Sequence, residues 1–249
     1  MNKIIETLKN HRSIRKFTNQ PLTDYQIKEI IESAQCASTS SNVMAYTIIG
    51  VTDTTLKQDL YEISGHNHVK TSAHLLLFCA DLHRIHQLED NPDENPDYLN
   101  NLESTEQFMV SVIDATLASQ NAAIAAESMG LGICYLGSLR NNIRKFNDLL
   151  HLPQHVIPLF GLAIGHPDHQ PDIKPRLPME TIYHENTYKP FEDQKSYIQK
   201  YDETVTDYYA SRSSNNKIDT WSNQMKRKFA IPTRMDVSSF VQEKQLNRK

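Results

Sequence analysis

Four short segments gather side chains able to do chemistry. His11-Arg12-Ser13-Ile14-Arg15 sets two guanidiniums, a hydroxyl and an imidazole within five residues. Arginine presents paired N–H donors, so this spacing suits a phosphate monoester; a solvated basic turn would read the same way. Ser38-Thr39-Ser40-Ser41-Asn42 strings hydroxyl donors along a loop, for a polar ligand or for plain turn formation. Tyr135-Leu136-Gly137-Ser138-Leu139-Arg140 follows an apolar run, where loops commonly carry ligands and Gly137 permits close approach of the backbone. In Lys174-Pro175-Arg176 a proline stiffens the chain between two cations, which again suits a phosphate or carboxylate.

Other chemistries lack their residues. The sequence has no GxGxxG, no GxxxxGK[ST], no GxSxG and no HExxH. His66-Asn67-His68 is a weak metal spacing, and no metal site is expected. Cys36, Cys79 and Cys134 stand far apart without a CxxC pair, which argues against a disulfide framework or zinc ribbon. With 26 basic and 30 acidic residues the chain carries a net charge of -4, so a dedicated nucleic-acid binder is not expected. A local basic cluster can still hold one phosphate ligand. No uninterrupted apolar run approaches the roughly 18 residues a membrane span needs, and the N-terminus has no signal-like apolar region. A cytoplasmic protein without a membrane partner is the expectation.

The four segments need elements to hold them. Thr23 and Gln26 form a capping box ahead of Ile27, Ile30, Ile31 and Ala34 at helical spacing. Residues 46–51 read as a strand. Thr55 and Gln58 repeat the capping pattern before Leu56, Leu60 and Ile63. Residues 75–80 read as a buried strand. A long helix is predicted over 108–129, with Met109, Val112, Ile113, Leu117 and Ile124 recurring. Ala118, Ala122, Ala123, Ala125 and Ala126 in it would allow close packing. Gly130-Leu131-Gly132 ends this helix and opens a strand at 133–136. Asn141-Asn142 caps a further helix with Ile143, Phe146 and Leu150 inward. Residues 158–165 form a fourth strand whose unbroken apolar character implies burial on both faces. Five of the seven glycines lie between Gly130 and Gly165, which marks that interval as the first place to look for a site. Prolines then crowd the chain, five of the eleven between Gly165 and Pro190, and predict an extended crossover. Helical patterns resume at 197–210, 221–229 and 237–246 as an appended arm, packed on the core or on a second subunit.

Taken together and in order, these motifs resemble the nitroreductase superfamily, in its larger NADPH-dependent branch of oxygen-insensitive nitroreductases and flavin reductases. The resemblance rests on His11-Arg12-Ser13-Ile14-Arg15 with Phe17, the serine-rich loop, Ala125-Ala126-Glu127-Ser128-Met129-Gly130-Leu131-Gly132 and Tyr135 to Asn142. It continues through residues 152–162, Lys174-Pro175-Arg176-Leu177-Pro178, His184-Glu185-Asn186, Ser214-Asn215-Asn216 and Asp219-Thr220-Trp221.

The resemblance implies an α+β fold, a mainly antiparallel central sheet wrapped by helices, in an intertwined homodimer with a C-terminal arm. Residues 1–165 would be the FMN-binding core. Residues 166–249 would be the crossover and helical arm of the same domain, contributing the dimer embrace and NADPH contacts. It implies that FMN is held by His11, Arg12, Ser13 and Arg15, and by Ser38, Thr39 and Ser40. His66 and His68 would join them, His66 standing where the family has a flavin-bonding glutamine. Tyr135, Leu136, Gly137 and Ser138 would add backbone beside the ring, and Lys174 and Arg176 would face phosphate and pyrimidine. Arg212 and Lys217 would bind NADPH. The implied reaction is ping-pong: hydride passes from NADPH to flavin N5, then two electrons pass to a nitroaromatic, a quinone, an azo compound or free flavin. No side chain is implied as general acid or base. Two alternatives stand beside it: a dedicated flavin reductase supplying reduced FMN, and a flavin-binding redox sensor with little turnover.

Overall fold

A computed structural model describes residues 2–212 and 216–249. Its four strands are β1 (Tyr46–Val51), β2 (His74–Asp81), β3 (Gly132–Leu136) and β4 (Val156–Gly165). The helices are α1 (Lys3–Lys9), α2 (Asp24–Gln35), α3 (Thr54–Ser64), α4 (His68–Thr71), α5 (His83–His86) and α6 (Pro96–Leu102). They continue as α7 (Thr105–Ser128), α8 (Ile143–Leu149), α9 (Phe191–Ser211), α10 (Trp221–Phe229) and α11 (Val237–Glu243). The chain forms two compact units: residues 1–171 with 234–249, and residues 172–233.

The sheet of the first unit has the order β1-β2-β4-β3, and every pairing in it is antiparallel. Alternation along the strands splits the core between its faces. Leu75, Leu77, Leu136 and Ala163 meet Leu60 and Ile63 of α3, Phe146 of α8, Ile14 and Phe17. On the other face Leu76, Phe78, Ile133, Leu162 and Ile164 meet Ile30 and Ala34 of α2 and four alanines of α7. Both central strands are thus covered twice, which is why their sequences run apolar without alternation.

Local signals place most helix ends. Thr23 and Gln26 form the capping box of α2, and Asn142 accepts from Lys145 N to start α8. The start of α3 differs from expectation: its cap is Asp53, whose carboxylate accepts from Leu56 N at 2.7 Å, and Thr55 already lies inside the helix. Asp and Thr compete for the same role, and the residue with extended backbone wins it. The long α7 is oriented by size. Its small residues Ala115, Ala118, Ala122 and Ala126 are buried, whereas Met109, Ile113 and Leu117 stay 48%, 54% and 41% exposed. Only short side chains let a helix approach the sheet this closely, so the bulky apolar stripe faces outward.

Residues 166–178 form no helix or strand beyond one bridge of Pro167 to Phe17, as the prolines predict. In the second unit, α9 buries Tyr201, Val205 and Tyr209 against Leu177 and Trp221. The Tyr201 hydroxyl donates to Pro175 O at 2.9 Å, which ties the proline segment to the helix.

The last helix belongs to the first unit. His155 N donates to Lys244 O, Lys244 Nζ donates to Leu152 O, and Arg248 pairs with Glu103. The His155 ring at this junction is buried, stacks on His86 at 4.5 Å and lies 3.7 Å from Glu103 Oε1. Burial first, then the charges of His86, His83, Lys244 and Arg248, hold its imidazole down at about 4. Its unfolded value is near 6.5, so the unfolded chain takes up the proton first as pH falls. Stability should therefore be level above pH 7 and decline between about 6.5 and 4. Urea midpoints across that range should fall less steeply in His155→Asn, since Asn tolerates the left-handed φ of 62° at this position. An unchanged slope would reject His155 as a contributor.

Candidate functional site

After α1, the chain lies along β3. Ser13 bridges Ile133 in parallel, and Ile14 N donates to Ile133 O at 2.8 Å. Glycine makes this possible: a Cβ on Gly132 would sit 2.7 Å from Ile14 Cβ, and one on Gly165 would sit 2.9 Å from the Phe17 ring. At the end of α7, Gly130 adopts φ 76° and turns the chain into β3. The glycine cluster therefore supports the His11–Arg15 segment from below.

The side chains of that segment diverge. His11 Nδ1 meets Glu127 Oε1 of α7 at 2.7 Å. Arg12 Nε donates to Asn10 O at 3.2 Å. Arg12, Ile14, Glu127, Gly130, Gly132 and His169 help line a groove of about 1100 Å³. Arg15 is an exposed residue, yet it sits beside His68 and within hydrogen-bonding reach of Cys134. Burial raises the Cys134 thiol above its ordinary value, and Arg15 works against that. His66 and His68 stack at 5.3 Å, and burial, then His66 and Arg15, hold His68 down at about 4. Arg15, His66, His68 and Cys134 thus form one cluster beside β3, and neutral His68 is suited to a hydrogen bond.

Beyond β3, Leu136 is buried, while Tyr135 packs edge-on to Phe160 and donates to Ser119 Oγ at 3.2 Å. A Cβ on Gly137 would meet the Arg140 guanidinium at 3.3 Å and that of Arg234 at 3.8 Å. Among the described residues, the buried Ser138 Oγ has no hydrogen-bond partner. Arg234, held by Asn141 Oδ1 at 3.0 Å, is absent from the sequence reading. It lies almost a hundred residues downstream, and nothing local connects it to this loop.

The serine loop lies elsewhere on the same unit. Ser38 and Ser40 are exposed. Thr39 Oγ1 donates to Asp114 Oδ2 at 2.5 Å and accepts from Met44 N at 2.9 Å. Asp114 on α7 also escaped the sequence reading, because one acid in an apolar helix carries no spacing signal. His11 is anchored to Glu127 of the same helix, thirteen residues on and so about 20 Å away. Within one chain the serine loop therefore stands well apart from His11.

Three basic residues of the second unit gather at an aromatic pair. Lys174 Nζ, Arg212 and Lys217 Nζ lie 5.8, 5.8 and 4.5 Å from the Tyr209 ring centroid, and Arg212 also covers Tyr208. Such cation–π contacts hold cations in place without neutralising them. Lys217 and Arg227 share Asp219 Oδ2, at 3.0 and 2.6 Å. Arg176 lies near Tyr201. Ser214 and Asn215 of the Ser-Asn-Asn motif lie outside the described residues. Among the described residues no group of three His, Cys, Asp or Glu side chains has metal-binding geometry.

Known proteins are similar to this chain along its length. A family model described as the nitroreductase family matches residues 8–166, and one for its C-terminal domain matches residues 174–249. FMN reductase (NADPH) of Bacillus subtilis (strain 168) is 48% identical over 250 residues, covering all of both chains. The solved structure of the NfrA1 nitroreductase from B. subtilis superposes with a TM-score of 0.93 at 47% identity, over 99% of this chain and all of that one. NADPH:FMN oxidoreductase from Vibrio harveyi, solved with NAD+, gives 0.86 at 37% identity with full coverage of both.

Proposed function

The chain belongs to the nitroreductase family, and from that premise we propose that it is an NADPH-dependent FMN oxidoreductase working as a homodimer. Its acceptors are nitroaromatics, quinones or free flavin. One observation carries the reading: His11–Arg15 is docked on β3, the strand that leads into the Gly137 loop. It does so in a chain 48% identical, end to end, to a protein named FMN reductase (NADPH).

The residues fit FMN chemically. Arg15, with Arg12, His11 and Ser13, offers donors to a phosphate and to the carbonyl edge of a flavin. His68 lies beside Arg15, and His66 stacks on His68. Among the described residues the buried Ser138 Oγ, next to Gly137, lacks a partner. When bound, FMN supplies the two-electron chemistry between NADPH and the acceptor. The chain's own part is to bind and orient. Lys174, Arg176, Arg212 and Lys217 supply positive charge for the phosphates of the nucleotides.

A second copy completes the site in this reading. The serine loop lies about 20 Å along α7 from His11, so it serves the flavin bound by the partner. The exposed stripe of Met109, Ile113 and Leu117 is the apolar face such a dimer would cover.

The test is a visible absorption spectrum of the purified protein, repeated after anaerobic addition of NADPH. Flavin bands that bleach are expected; a colourless protein that FMN cannot reconstitute defeats the reading. Turnover with nitrofurans against free FMN then separates a general nitroreductase from a dedicated flavin reductase. Arg212→Ala should raise the KM for NADPH roughly tenfold, the loss of one charge-assisted phosphate contact, and leave NADH unchanged. Equal changes for both nucleotides would move the 2′-phosphate site away from Arg212.

A further inference from the structure

The serine loop is a costly conformation. Ser41, Asn42 and Met44 adopt φ of 48°, 60° and 50°, the left-handed region that non-glycine residues rarely occupy. Such geometry persists only where surroundings over-determine it. Here one buried side chain does most of that. Asp114, 1% exposed, accepts from Thr39 Oγ1 at 2.5 Å, Ser40 N at 3.1 Å and Ala45 N at 3.1 Å. Arg84 steadies the loop's exit through Met44 O and Tyr46 O.

The direction of these bonds reassigns Thr39. A threonine hydroxyl has one proton, and this one goes inward to Asp114. Its oxygen also accepts from Met44 N. Thr39 therefore has no proton left for a flavin, whereas Ser38 and Ser40 beside it are exposed. We propose that Asp114 and Thr39 form a strut that presents Ser38 and Ser40 to FMN, with Asp114 a positioning residue of the flavin site. This rests on the FMN reading above.

Asparagine at 114 discriminates well. Oδ1 serves Ser40 N, and Oδ2 serves Thr39 Oγ1 and Ala45 N. Whichever way the amide turns, its NH₂ faces at least one backbone N–H. FMN retention by the full-length protein would be measured by equilibrium ultrafiltration, with visible-region circular dichroism of the bound flavin at saturation. Asp114→Asn and Thr39→Val should each weaken FMN roughly tenfold to a hundredfold and alter the flavin dichroism. Thr39→Ser keeps the proton and should stay within about threefold of wild type. The double variant should be no weaker than the worse single one, because both break the same strut. Ile30→Ala, which only opens a cavity against α7, should lose stability yet retain the flavin signal.

Folded Asp114→Asn with wild-type FMN affinity overturns the strut while leaving the FMN reading intact. If Asp114→Asn does not fold, equal affinities for Thr39→Val and Thr39→Ser overturn it instead. A wild-type protein that binds no FMN defeats the functional reading, and the strut with it.

Discussion

Gly132→Val is expected to destabilise the fold by about 3 kcal/mol and to release the flavin in the same step. The Cβ it adds would lie 2.7 Å from Ile14 Cβ and 2.7–2.8 Å from both branches of that side chain. Ile14 Cβ is fixed to its own backbone, so rotation cannot relieve the overlap. The segment must lift, breaking the 2.8 Å bond from Ile14 N to Ile133 O and exposing Ile14. Loss of that bond, about 1 kcal/mol, adds to the strain. Gly132→Ala should show a weaker form of the same defect. Urea midpoints and retained flavin absorbance measure the two losses. A Val variant with an unchanged midpoint and full FMN content would mean that Ile14 does not dock against Gly132. Gly65 is the control: it has φ 69° and open space around its Cβ, so Gly65→Asn should leave FMN content unchanged.

Removal of the Arg15 guanidinium should weaken FMN by roughly tenfold to a hundredfold, the worth of hydrogen bonds to a charged group. Stability should change little, because Arg15 is an exposed residue and its contact with the Cys134 thiol is a weak one. Arg15→Lys restores charge without the paired donors and should recover only part of the affinity. Excess FMN should restore NADPH oxidation by Arg15→Ala. One further readout is local: Arg15 helps hold the His68 imidazole at about 4, so Arg15→Ala should let that value rise. Wild-type affinity in Arg15→Ala would place the flavin phosphate elsewhere. A shifted His68 with unchanged FMN binding would separate the electrostatic neighbour from the ligand contact.

Short-range patterns told a good deal about this protein. All four strands stand within two residues of where apolar runs and glycines put them. The capping box of Thr23 and Gln26 and the Asn142 cap form as written, because both involve residues three apart in the chain. The His11–Arg15 segment and the Gly137 loop were identifiable by composition, and the ordered motifs together identified the family. The cap of α3 shows the limit even of local reading: Thr55 satisfied the pattern with Gln58, yet Asp53, two residues earlier, has the extended backbone and takes the cap.

Other features depended on contacts across long stretches of chain. Continuous apolar strands bury equally well in parallel or antiparallel sheets, and only the register of β2 with β1 and β4 decides. The two apolar faces of α7 look alike in sequence, yet the sheet accepts the alanines and rejects Met109, Ile113 and Leu117 on grounds of size. The role of Thr39 was hidden for the same reason. A hydroxyl's chemistry depends on where its single proton goes, and its acceptor, Asp114, is 75 residues away. Sequence alone supplied the donors, since side-chain chemistry is intrinsic to each residue. Tertiary structure decided which of them remain free, because each hydrogen bond formed inside the fold removes a donor from any ligand.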